Sequence, residues 1–160
     1  MLKIFALFIF SMLPFGALAE QTYTITFQNK SSRTVWIEAQ AGKCMQEWNV
    51  PAKYTSLNPG YILGPYTIKD KNSGSCLNAS KLGVWNIVED LDNLQNSLKI
   101  GFLHQIKNGH WTTYFNANTS GSPYSFISGI SCNSQPCLNP YFYTSSDGFP
   151  MVVTIEDRYN

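Results

Sequence analysis

Two cysteines five positions apart, Cys132 and Cys137 in SCNSQPC, could form half of a metal site, a redox pair or a covalent staple. A redox centre usually separates its thiols by two residues and places a charge beside one of them to lower its pKa. Here four residues intervene, and none of Asn133, Ser134, Gln135 and Pro136 is charged. A four-thiolate zinc site would need Cys44 and Cys76 as its other half, and these lie 32 positions apart. An even number of cysteines favours pairing, and neighbours in sequence find each other most easily. Of the three possible connectivities, the favoured one is Cys44–Cys76 with Cys132–Cys137, contributing about 4 and about 2 kcal/mol in the chain-entropy treatment. No metal and no cofactor is expected.

The chain has two histidines, His104 and His110. Both fall in KIGFLHQIKNGHWTTYFN (99–116), where Asn108-Gly109 suits a two-residue type I′ turn. That register sets Lys107 opposite His110 and Ile106 opposite Trp111. Side chains alternate along a strand, so the two imidazoles point to opposite sides and cannot share a metal or a proton. His104 falls among Ile100, Phe102, Trp111 and Phe115 and reads as a hydrogen-bonded core histidine. No G-x-S-x-G nucleophile elbow occurs. Nine acids, among them Glu38, Asp70, Glu89 and Asp147, could supply a carboxylate pair for glycoside hydrolysis, but nothing in their spacing pairs them. EDLDN (89–93) lacks the glycine and the later glutamate of a calcium loop.

The elements that must position these residues alternate with period two. TYTITFQ (22–28) sets Tyr23, Ile25 and Phe27 against Thr22, Thr24, Thr26 and Gln28. RTVWIEA (33–39) sets Val35, Ile37 and Ala39 against Thr34, Trp36 and Glu38. With the polar NKSS between them, 22–39 reads as a hairpin. Further strands are expected at 61–69, 84–88, 98–106, 110–116, 124–131, 140–144 and 150–156, the last beside 22–28 or a neighbour. Val88, Leu91, Leu94 and Leu98 recur at helical spacing and predict a short helix around 88–96. The fold class expected is all-β, an antiparallel β-sandwich of about eight strands with one short helix.

The first nineteen residues read as a secretion signal: Lys3, an apolar run from Ile4 to Phe15, and Ala17-Leu18-Ala19 before Glu20. Residues 20–160 then form one secreted or periplasmic β-sandwich domain with no transmembrane anchor after cleavage. Removing Lys3 from the 11 basic residues balances the 10 acidic ones. Such a neutral chain, without a basic run, excludes nucleic acid as a partner. Sequons occur at Asn29, Asn78 and Asn118.

Aromatic residues exceed what one core face can absorb. Trp36 and Tyr114 lie on the polar faces of their strands, and NPYFYTSSDGFP (139–150) packs Tyr141, Phe142, Tyr143 and Phe149 among turn formers. Consecutive aromatics cannot all face one core, so some reach solvent or a ligand. The candidate ligand-binding residues are Trp36, Tyr114, Tyr141, Tyr143 and Asp147.

TYTITFQNKSSRTVWIEAQ (22–40) resembles the first hairpin of thaumatin-like proteins, which also carry a strand, an Asn and a TVW strand after the turn. SLNPGYILGPYTI (56–68) fits their next segment. The resemblance implies a secreted β-sandwich with an acidic cleft associated with glycan binding or weak glucanase activity. It ends near residue 68, and four cysteines depart from that disulfide-dense family, so no cleft residue is carried over. Small lipid-binding β-sandwich cytolysins are comparable in size and aromatic content. The residues therefore point first to a secreted, non-enzymatic module binding a glycan, lipid or protein at a cell surface. A membrane-active toxin is the second reading and a carboxylate-dependent glycoside hydrolase the third.

Overall fold

The computed structural model describes residues 20–118, 122 and 124–158, so the expected signal segment lies outside the described residues. Two six-stranded sheets face each other. The strands are β1 (Thr22–Asn29), β2 (Val35–Lys43), β3 (Met45–Glu47), β4 (Thr55–Leu57), β5 (Ile62–Asp70), β6 (Lys81–Val88), β7 (Ser97–Lys107), β8 (His110–Asn118), β9 (Ser125–Cys132), β10 (Gln135–Pro136), β11 (Tyr143–Thr144) and β12 (Pro150–Asp157). One sheet has the order β10-β9-β12-β1-β5-β3 and the other β11-β8-β7-β6-β2-β4. The all-β sandwich expected from the alternation is the fold observed.

The period-two patterns select the faces as expected. Tyr23, Ile25 and Phe27 of the first sheet and Val35, Ile37 and Ala39 of the second are buried between the layers. Met151, Val153 and Ile155 join them from β12, which pairs with β1 in parallel. Each large side chain buried there contributes about 1.5–3 kcal/mol. The Asn108-Gly109 turn also forms as expected: φ is 53° and 78°, and Lys107 faces His110 while Ile106 faces Trp111.

Two local expectations change. Residues 22–39 are not a hairpin, because β1 and β2 lie in different sheets. Asn29 directs the crossing. Buried at the end of β1, it donates its amide hydrogens to Arg33 O (2.7 Å) and Leu57 O (2.8 Å) and accepts from Ser31 N–H (3.0 Å) and Ser31 Oγ (2.7 Å). The amide is thereby committed to the connection, and this sequon is structural.

The helix around 88–96 is replaced by turns. Val88 and Leu98 are buried at the ends of β6 and β7, whereas Leu91 and Leu94 are exposed. Asp90 Oδ1 accepts the Asp92 N–H at 2.9 Å, and Asp90 O accepts from Asn93 N. Such side-chain bonds compete with helix hydrogen bonding, so the apolar spacing has no helix to act on. The strand expected at 140–144 shrinks to β11, since Pro140 has no N–H to offer a ladder. Among the described residues, no helix is long and apolar enough to cross a membrane.

Both expected disulfides are present, Cys44–Cys76 and Cys132–Cys137.

Candidate functional site

The segment after β10 crosses the open side of the sandwich and is held from both sheets. Cys137 N–H donates to Ile130 O at 2.9 Å in the first sheet, while Cys137 O accepts from Phe115 N–H at 2.7 Å in the second. Asn139 N–H donates to Phe115 O at 2.8 Å, and β11 then pairs with β8. The buried Cys132–Cys137 disulfide anchors the start of this strap.

Side chains along the strap diverge, as consecutive aromatics must. Tyr141 is 60% exposed and stands beside a groove on the β9–β10 side. Phe142, also exposed, turns to the second sheet and meets Tyr114 edge-on at 5.2 Å. Tyr143 packs back against the core, edge-on to Phe149 at 4.7 Å, and its hydroxyl accepts from Asn133 Nδ2 at 3.0 Å.

The Tyr141 groove encloses about 400 Å³. Ser128, Ser131, Ser134, Thr154 and Asn139 line it, with Ile130, Pro136 and Leu138 as apolar walls. None of its residues is an acid, a base or a free thiol. Hydroxyls and a carboxamide can each donate and accept hydrogen bonds, and a tyrosine ring offers a flat apolar surface. This arrangement can hold a neutral, hydroxyl-rich molecule.

The five expected binding residues do not meet. Tyr141 alone borders this groove. Tyr143 is a core contact. Tyr114 lies half-buried on the outer face of the second sheet, bonded from Gln105 Nε2 at 3.1 Å. Trp36 shares that sheet but pairs with Val88, which in turn pairs with Ser97, whereas Tyr114 pairs with Leu103. Six residues along β7 and three strand spacings separate them, about 20 Å by about 14 Å. Asp147 is exposed in the loop before β12, its N–H donating to Ser145 Oγ at 3.0 Å.

Three further charged or titratable groups, Lys81, Asp70 and His104, are buried between the sheets, whereas Glu89 and Asp90 line a surface groove with Arg33, Asn93, Asn96 and Tyr124. Lys81, fully buried, donates from Nζ to Lys71 O (2.7 Å), Cys76 O (2.7 Å) and Asn72 Oδ1 (3.3 Å). Asp70 accepts from Gln21 N–H (2.8 Å) and from the Tyr23 hydroxyl (3.3 Å). His104 shares a hydrogen bond with Thr113 Oγ1 at 2.7 Å and stacks on Trp111 at 4.5 Å. Burial, aided by the charge of Lys81, lowers the His104 pKa to about 4. Burial also raises the Asp70 carboxyl and lowers the Lys81 ammonium. The core histidine was expected; the buried lysine was not, although Lys81 shares strand parity with Gly83, Trp85 and Ile87, the face that turns inward.

The molecule is thus a disulfide-linked all-β sandwich. No family model and no curated protein matches the chain. Among solved structures it is similar to the protein elicitor MoHrip2 from Magnaporthe oryzae, at 12% identity and a TM-score of 0.43, covering 82% of this chain and 98% of that one. It is also similar to the thaumatin-like xylanase inhibitor TLXI, at 12% identity and a TM-score of 0.33, covering 84% of this chain and 98% of that one. Both are weak structural resemblances.

Proposed function

We propose that this protein is an exported, non-enzymatic binding module that recognises a neutral glycan in the groove beside Tyr141. One observation carries the reading: an exposed aromatic ring stands over a concave surface whose polar groups are all uncharged hydroxyls and amides. Sugar rings present an apolar C–H face for stacking and a rim of hydroxyls for mutual donation and acceptance. Export is supported by the N-terminal signal pattern and by the pairing of all four cysteines. A binding role at this groove is supported by its lining, which carries no acid, no base and no free thiol.

The test is retention on a panel of immobilised neutral polysaccharides, wild type against Tyr141→Ala. Selective retention that the substitution removes supports the reading; equal retention of both proteins sinks it. A second reading, contact with a membrane, is favoured by exposed Tyr61, Ile62, Leu91, Leu94 and Tyr124, all in or beside loops at one end of the sandwich. Flotation with liposomes distinguishes it, since glycan binding through the groove predicts none.

A further inference from the structure

We propose that a second cleft, between the β7–β8 turn and Phe142, binds a sugar bearing a carboxylate. This site is separate from the Tyr141 groove and lies on the opposite side of the same strap. It encloses about 380 Å³ and is lined by Lys107, Asn108, His110, Thr112, Phe142 and Thr144. No acidic residue is among them.

Geometry fixes a pair of donors here. The turn at Asn108-Gly109 puts Lys107 directly opposite His110, so both side chains leave the outer face of the second sheet together. Lys107 Nζ stands 3.9 Å from the centroid of the Phe142 ring. The ion pair found among the described residues joins Lys69 to Glu20, which leaves Lys107 without a carboxylate partner among them. An exposed ammonium held over an aromatic ring, with no internal anion, is complementary to an external one.

The rest of the cleft argues for a sugar acid rather than a bare ion. Its volume falls at the lower end of small-molecule sites, far larger than an inorganic anion requires. Phe142, in edge contact with Tyr114 at 5.2 Å, adds apolar surface to the wall of the cleft beside the ammonium that its ring face holds. Asn108 and Thr144 are exposed and can meet ring hydroxyls. The two clefts thus differ in charge and select different sugars.

The experiment is an amide-resolved NMR titration of the oxidised protein with glucuronate, glucose, sulfate and phosphatidylserine vesicles. Glucuronate is expected to shift residues 107–112 and 142–144, and Lys107→Gln to weaken it about fivefold, the loss of one partly exposed charge-assisted contact. Both Lys107 and His110 are exposed, so Lys107→Gln and His110→Ala should keep the wild-type melting temperature. Glucose shifting the same amides equally, sulfate binding as tightly as glucuronate, or Lys107→Gln binding as well as wild type would each overturn the assignment. So would vesicles shifting these residues while glucuronate does not. The neutral groove is read separately through Tyr141→Ala, so either assignment can fail alone.

Discussion

Lys81 and His104 face each other directly across the β6–β7 pair, and both are buried between the sheets. Two groups that could carry like charges can share that interior only if one stays neutral. Lys81 has three oxygen acceptors, which suit an ammonium, whereas His104 has a hydroxyl partner and an indole to stack upon. The imidazole is therefore the neutral member.

Acid should exploit this pair. The folded-state His104 pKa is lowered from 6.5 to about 4, so the unfolded chain takes the proton first as pH falls. The stability contributed by a neutral His104 is complete above 6.5 and is lost progressively as pH falls towards about 4, by at most about 3 kcal/mol. Asp70, whose carboxyl burial raises, acts in the opposite sense by accepting a proton more readily when folded. Urea midpoints of wild type and His104→Gln across this range are the measurement. A parallel decline in both proteins would rule out His104 as the source.

Replacing Lys81 with Met should destabilise the fold by about 3 kcal/mol or more, because buried oxygens lose their donor. The loss should appear first as faster amide exchange in residues 71–77, whose carbonyls the ammonium gathers. Unaltered stability would mean that water substitutes for the ammonium.

Removing the two disulfides should have unequal effects. Cys44 and Cys76, both half-buried, close a loop of 32 residues, so replacing both with Ala should cost about 4 kcal/mol from loop entropy. The shorter Cys132–Cys137 link, with a separation of 5, should cost about 2 kcal/mol by the same treatment. Its loss should also free the strap and reduce retention at the Tyr141 groove. Guanidinium unfolding of each double variant, with glycan retention alongside, tests both effects.

Tyr141 and Tyr143 should separate cleanly despite lying two residues apart. Tyr141→Ala removes an exposed ring and should change stability by less than about 0.5 kcal/mol while abolishing glycan retention. Tyr143→Ala removes a ring packed on Phe149 and should cost about 3 kcal/mol. Thermal unfolding of the two single variants is sufficient to check this. Equal stability losses would place Tyr141 in the core as well.

Features governed by neighbours along the chain were legible. Alternation placed Tyr23, Ile25 and Phe27 inward, and Asn108-Gly109 set the β7–β8 register that separates the two histidines. Loop length favoured the observed cysteine pairing among three possible ones. The expected helix failed because Asp90 and Asn93 supply turn bonds that the spacing of leucines does not reveal. The exposure of Tyr141 was legible, as one of several consecutive aromatics that cannot all face one core. Its groove partners were not, since Ser128, Ser134, Asn139 and Thr154 come from β9, the turn after it, the strap and β12.

Sequence by itself determined which side of each strand is apolar and which turn reverses β7 into β8, because each depends on residues close together along the chain; it favoured one of three cysteine pairings, and the structure selected that one. Only the tertiary structure decided that β1 and β2 belong to different layers, that Lys81 is enclosed, and that Tyr141, Phe142 and Tyr143 face three different surroundings. Period-two alternation suits any partner strand equally well. The choice among partners is made by long-range contacts, such as the amide bonds of Asn29 and the backbone bonds that fasten the strap to both sheets.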